Sequence, residues 1–168
     1  MTTARTSLTR RFTGPAVAIF ASAGVLLTPA VAEANTTSTA PVAVAAPVAA
    51  PNAAAQTAVD TALAQLGKPY AWGGAGPSSF DCSGLAQYAY AAAGIALAHS
   101  SSMQSTLGTP VSVADLQPGD LVFFYSPVSH VAMYIGNGQI VQASTYGQPV
   151  AVTELAYMPA PTAARRIA

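Results

Sequence analysis

Apolar side chains recur at helical spacing through Val59, Ala62, Leu63 and Leu66, the signature of one buried helix face. Gly67 and Pro69 follow directly and stop the helix, because glycine suits the left-handed cap and proline has no N–H to continue. A loop rich in glycine and aromatic rings, Tyr70 to Pro77, separates this helix from a second one, predicted from Asp81 to Ala93 and ended by Gly94. Asp81 is a good N-cap type. Ser100 to Leu107 reads as a third, short helix. From Asp120 the pattern changes. Leu121–Tyr125, Val131–Ile135, Gln139–Ala143, Val150–Leu155 and Arg165–Ala168 read as strands. Gly136-Asn137-Gly138 between the second and third of these is a strong hairpin signal. Helices followed by a run of antiparallel strands predict an α+β fold.

The first part of the chain has a different character. Arg5, Arg10 and Arg11 precede an apolar run from Pro15 to Leu27, the helix-breaking Thr28-Pro29, and the small-residue triplets Ala30-Val31-Ala32 and Ala32-Glu33-Ala34. These are the three regions of a secretory signal peptide, predicted for residues 1–34. The alternative is a retained membrane anchor, for which the apolar run is near the lower limit of length. No cysteine lies near the cleavage region to carry a lipid. Residues 35–53 are mostly Ala, Pro, Thr and Val with no large side chain. Such a stretch buries too little surface to offset chain entropy and reads as a linker. The folded domain is then expected over 54–168, on a chain secreted to the cell wall or periplasmic space, without membrane attachment after cleavage.

Composition narrows the function. At 168 residues the chain has room for about one domain. Charged residues are 7% of it and the formal net charge is zero, so no basic stripe exists and nucleic-acid binding is excluded. With one Cys and two His, a zinc site of Cys and His ligands and an internal disulfide are both out of reach.

The lone Cys82 sits where the second helix begins. Free N–H groups and partial positive charge at a helix N-terminus favour a thiolate and can stabilise an oxyanion beside it. The plainer reading is a buried inert thiol. His130 opens a strand, and a rigid strand can hold an imidazole at a fixed distance from a helix terminus. A nucleophile needs a base, and the other histidine, His99, lies in a loop before a serine run.

Four blocks then occur in order: Gly67-Lys68-Pro69-Tyr70-Ala71-Trp72-Gly73-Gly74, Phe80-Asp81-Cys82-Ser83-Gly84-Leu85, Leu116-Gln117-Pro118-Gly119-Asp120-Leu121-Val122-Phe123-Phe124, and His130-Val131-Ala132-Met133-Tyr134-Ile135-Gly136-Asn137-Gly138. Together they resemble the NlpC/p60 family of secreted peptidoglycan cysteine endopeptidases. The resemblance implies a papain-like fold, with N-terminal helices packed on an antiparallel sheet of about five to six strands. It implies Cys82 as nucleophile, His130 as base and Gln142 as the third polar residue, a position where many members carry His. Tyr70, Asp81 and Ser83 match positions that contact the substrate's free amino end, and His99 is not placed in the catalytic set. The implied substrate is the wall stem peptide, cut at the γ-D-glutamyl bond to a diamino acid, by a monomer with no metal or organic cofactor. A related cysteine amidase or transferase, and an inactive wall-binding module, are the alternatives.

The hairpin bears on Gln142 independently. A plain two-residue turn at Asn137-Gly138 sets 142 opposite 133, on the face away from His130. A three-residue loop sets 142 opposite 132, on the same face as His130. A working triad therefore requires the odd-numbered loop or a bulge.

Overall fold

The computed structural model describes residue 48 and residues 50–168. The expected signal peptide and most of the expected linker lie outside the described residues. Helix α1 spans Ala53–Leu63 and is capped by Asn52, whose side chain accepts from Ala55 N at 2.9 Å. Its inner face is Ala55, Ala58, Val59 and Ala62. Small side chains there let it lie close against α2, Cys82–Ala92, whose inner face carries Leu85, Ala86, Ala89 and Tyr90. The apolar pattern ran α1 on to Leu66, but the chain tightens after Leu63 into single turns (Gln65 N to Ala62 O, Leu66 N to Leu63 O) and leaves Leu66 exposed. The third helix, α3, is the single turn Ser101–Gln104, capped by Ser100.

Six strands follow: β1 Thr109–Pro110, β2 Leu121–Phe124, β3 His130–Gly136, β4 Gln139–Gln142, β5 Ala151–Glu154 and β6 Ala163–Arg166. They form one antiparallel sheet in the order β1-β6-β2-β3-β4-β5. The sequence pattern missed β1, a two-residue edge strand carrying a proline, where a missing N–H costs no ladder bond. It also set the last strand two residues late.

Every residue of β2 is buried, which an alternating one-faced strand could not be. Leu121 and Phe123 join the core under α1 and α2. Val122 and Phe124 join Ala132 and Ile140 on the opposite face, covered by Leu116, Leu155 and Met158. Full burial of such side chains contributes roughly 1.5–3 kcal/mol each. The rigid centre of the sheet is therefore the β2–β3 pair, and His130 stands at the end of it opposite Phe124.

The β3–β4 hairpin carries the feature that decides the site. Asn137 and Gly138 make a two-residue turn with φ of 53° and 74°, and Gly136 pairs with Gln139. The register then shifts between Tyr134 and Gly136, so that Tyr134 pairs with Ile140 and Met133 with Val141. Ile135 is the extra residue of a β-bulge, made possible by the positive φ of 97° at Gly136. The slip brings Gln142 level with Ala132 and onto the face of His130. The turn is the shorter of the two anticipated, and the bulge restores the alignment.

Candidate active site

Cys82 is the first residue of α2 and is partly exposed. Asp81 ahead of it does more than cap. One carboxylate oxygen accepts from Gly84 N at 2.7 Å and from the Ser83 hydroxyl at 3.1 Å. The other accepts from Gly73 N at 2.9 Å. His99 Nε2 reaches both, at 2.8 and 2.9 Å. Asp81 thus ties the Gly-rich loop, the helix start and the His99 segment together around the sulfur. Gln104, fully buried, adds a second tie, donating to Ser83 O at 3.0 Å and Ala98 O at 2.7 Å.

Burial is the largest influence on the Cys82 thiol. Backbone N–H groups of Val131, Ser83 and Cys82 pull the Cys82 pKa down, but burial and then the Asp81 charge push it up, and the net shift is upward. Burial also dominates at His130 and lowers its pKa, with the Gln142 hydrogen bond opposing in part. Each shift taken by itself favours the neutral form of its group.

His130 Nε2 lies 2.7 Å from Gln142 Oε1. The amide nitrogen of Gln142 donates to Thr153 Oγ1 at 3.3 Å and contacts Met158 Sδ at 3.6 Å, which orients the oxygen toward the ring. An amide oxygen only accepts, so Nε2 carries the hydrogen and Nδ1 holds the free lone pair. Phe124 packs against the same ring, with centroids 5.8 Å apart.

Cys82 and His130 open onto adjoining grooves. One, of about 410 Å³, is lined by Cys82 together with Asp81, Ser83 and His99. The other, of about 480 Å³, is lined by His130 together with Gln142, Tyr70 and Tyr125. Trp72 and Ser129 border both. Asp81 and Ser83 therefore lie on the cysteine side and Tyr70 on the histidine side. Tyr70 still senses Cys82: burial first, then Cys82, Asp81 and Tyr146, raise its pKa and keep its hydroxyl a donor. Sequence reasoning did not place Trp72, Tyr125, Tyr146, His99 or Gln104 at the site. The aromatic, glycine-rich loop was the available signal for Trp72; the others come from segments distant in the chain. Among the described residues, no three His, Cys, Asp or Glu side chains converge as metal ligands would.

The NlpC/P60 family model matches residues 67–164, more than half of the chain. The chain belongs to the NlpC/P60 family. A probable endopeptidase of Mycobacterium tuberculosis is 56% identical over 94 residues, covering 56% of this chain and 24% of its own length. The chain therefore spans about a quarter of that relative. Among solved structures, NlpC2 from Trichomonas vaginalis superposes with a TM-score of 0.65 at 34% identity, covering 71% of this chain and 49% of that one. The NlpC/p60 domain of the peptidoglycan hydrolase SagA gives 0.62 at 36% identity, covering 67% and 97%. As an NlpC/P60 domain the protein has the papain-like arrangement, with the cysteine-bearing helix packed on an antiparallel sheet.

Proposed function

We propose that the protein is a secreted peptidoglycan hydrolase, a cysteine endopeptidase that cuts stem peptides at the γ-D-glutamyl bond to a diamino acid. The observation that carries this reading is Cys82 at a helix N-terminus with its thiol at the backbone N–H of Val131, the residue that follows a buried His130 whose ring is fixed by Gln142 at 2.7 Å. The mycobacterial relative is named a probable endopeptidase and SagA a peptidoglycan hydrolase, which supports the substrate class.

The proposed chemistry is acyl transfer through Cys82 and His130. His130 Nδ1 takes the thiol proton as the sulfur attacks the carbonyl, so the charged pair forms during attack. The N–H of Cys82 and the Tyr70 hydroxyl are the proposed donors to the oxyanion; one such donor is worth about 10²–10³ in rate. Collapse breaks the C–N bond, and His130 gives the proton to the leaving amine. Water then adds to the thioester with His130 again as base, and the thiol is restored.

The test is mass spectrometry of digested peptidoglycan. New amino ends on the diamino acid, absent with Cys82→Ser, are the expected result. Release of a different bond, or transfer to an added amine in place of water, would assign the site to a related amidase or transferase.

A further inference from the structure

The two grooves differ in charge. The one beside Cys82 contains the Asp81 carboxylate and the His99 imidazole. The one beside His130 is bordered by Tyr70, Trp72, Tyr125, Ser144 and Thr145, none of which carries a charge at neutral pH. Asp81 faces the other groove, and Glu154 accepts from Gln139 at 2.9 Å. The aromatic side chains are turned outward: Trp72 is 80% exposed and Tyr125 48%. Tyr146, itself exposed, lies edge-on to Tyr70 at 5.1 Å, with its hydroxyl 3.4 Å from Trp72 N.

Direction of the reaction assigns the grooves. His130 must hand a proton to the departing amine, so the groove it lines receives the leaving half of the substrate. The groove lined by Cys82 without His130 keeps the acyl half. We propose that the His130 groove is a leaving-group subsite that selects a diamino acid whose side-chain amine is already acylated, as in a peptide cross-link, over one with a free ammonium. This rests on the endopeptidase reading above.

The physical reason is pairing. A free ammonium entering this groove gives up water and meets no carboxylate. Ring faces attract a cation only weakly at an exposed site. An acylated arm has no charge to desolvate. Its methylenes lie on the Trp72 and Tyr125 faces, and its amide meets the hydroxyls of Ser144 and Thr145.

The experiment uses two peptides with the same γ-D-glutamyl–diamino acid bond, one with a free side-chain amine and one acetylated there. The acetylated peptide is expected to show roughly tenfold higher kcat/KM, mostly through KM. Trp72 is the sole tryptophan of the chain, so its fluorescence in the Cys82→Ser protein reports binding without turnover and should respond at a correspondingly lower concentration of the acetylated peptide. Thr145→Asp places a carboxylate in the groove and should cancel or reverse the preference. The turn there is held by a backbone bond, Gln148 N to Thr145 O at 3.1 Å, which the substitution leaves in place. Equal cleavage of the two peptides, preference for the free amine, or an unmoved ratio in Thr145→Asp overturns this proposal alone. Cleavage of neither peptide overturns the bond assignment and this proposal with it.

Discussion

A cysteine and a histidine with shifted pKa values make sharp demands on single residues. Cys82→Ser and His130→Ala should each abolish turnover on peptidoglycan while circular dichroism stays native, because one removes the proposed nucleophile and the other its proposed base. The resting protonation state has its own signature. Burial raises the Cys82 pKa and lowers that of His130, so alkylation of the free thiol by iodoacetamide should climb only above the ordinary thiol range of about 8.5. A resting ion pair would instead give a labelling plateau from the acid side, and observing one would sink this assignment. Gln142→Glu sets a negative charge against the His130 ring and should raise its pKa. That favours imidazolium with thiolate, so labelling at neutral pH should accelerate. Gln142→Ala should lower the rate moderately, through lost ring orientation, and leave the labelling profile near that of the wild type.

Two elements set the distance over which this chemistry works, and each depends on a glycine. In α2, a Cβ on Gly84 would sit 2.0 Å from the carbonyl oxygen of Gly74. The helix start and the loop carrying Trp72 and Gly73 touch backbone to backbone there, and neither side is a flexible side chain. Gly84→Ala should therefore separate them, loosen the Asp81 bonds to Gly73 N and Gly84 N, and lower kcat by more than tenfold. Peptidoglycan turnover with the Gly84→Ala protein checks it, and near-normal kcat would mean that the loop shifts without disturbing Cys82. In the β3–β4 hairpin the bulge rests on Gly136 at φ 97°. Gly136→Ala strains this position by roughly 1–3 kcal/mol and weakens the device that aligns Gln142 with His130. The fold is legible from sequence at this scale because caps, stops and the Asn137-Gly138 turn are local. The bulge is not, because it is a choice between registers made by the packing of β3 against β2.

Across the whole molecule, the sheet closes through a pair remote from the chemistry. Arg166 of β6 grips Asp120 with Nε at 2.9 Å and Nη2 at 2.7 Å, and Gln117 N donates to the same carboxylate at 2.8 Å. Asp120 is buried while the Arg166 side chain is about a third exposed. Arg166→Ala leaves a buried carboxylate with a backbone donor but no cation. The expected loss is about 2–4 kcal/mol, below the figure for a fully buried pair because solvent screens the arginine. Urea unfolding measures this, and kcat per folded molecule should be unchanged. A drop in kcat at full folding would show that β6 communicates with the site.

By itself the sequence determined the order of helices and strands, the position of Cys82 at a helix start, and a hairpin leading from His130 to Gln142. These rest on interactions within a few residues: N-caps, glycine stops, alternation and turn chemistry. Tertiary structure decided what local rules leave open. It chose the bulged register that puts Gln142 on the face of His130. It set the upward direction of the Cys82 shift, because burial is a property of the packed core. It also divided the cleft into a charged groove and a neutral one, since Trp72, Tyr125, His130 and Thr145 share the site only once the sheet has brought their segments together.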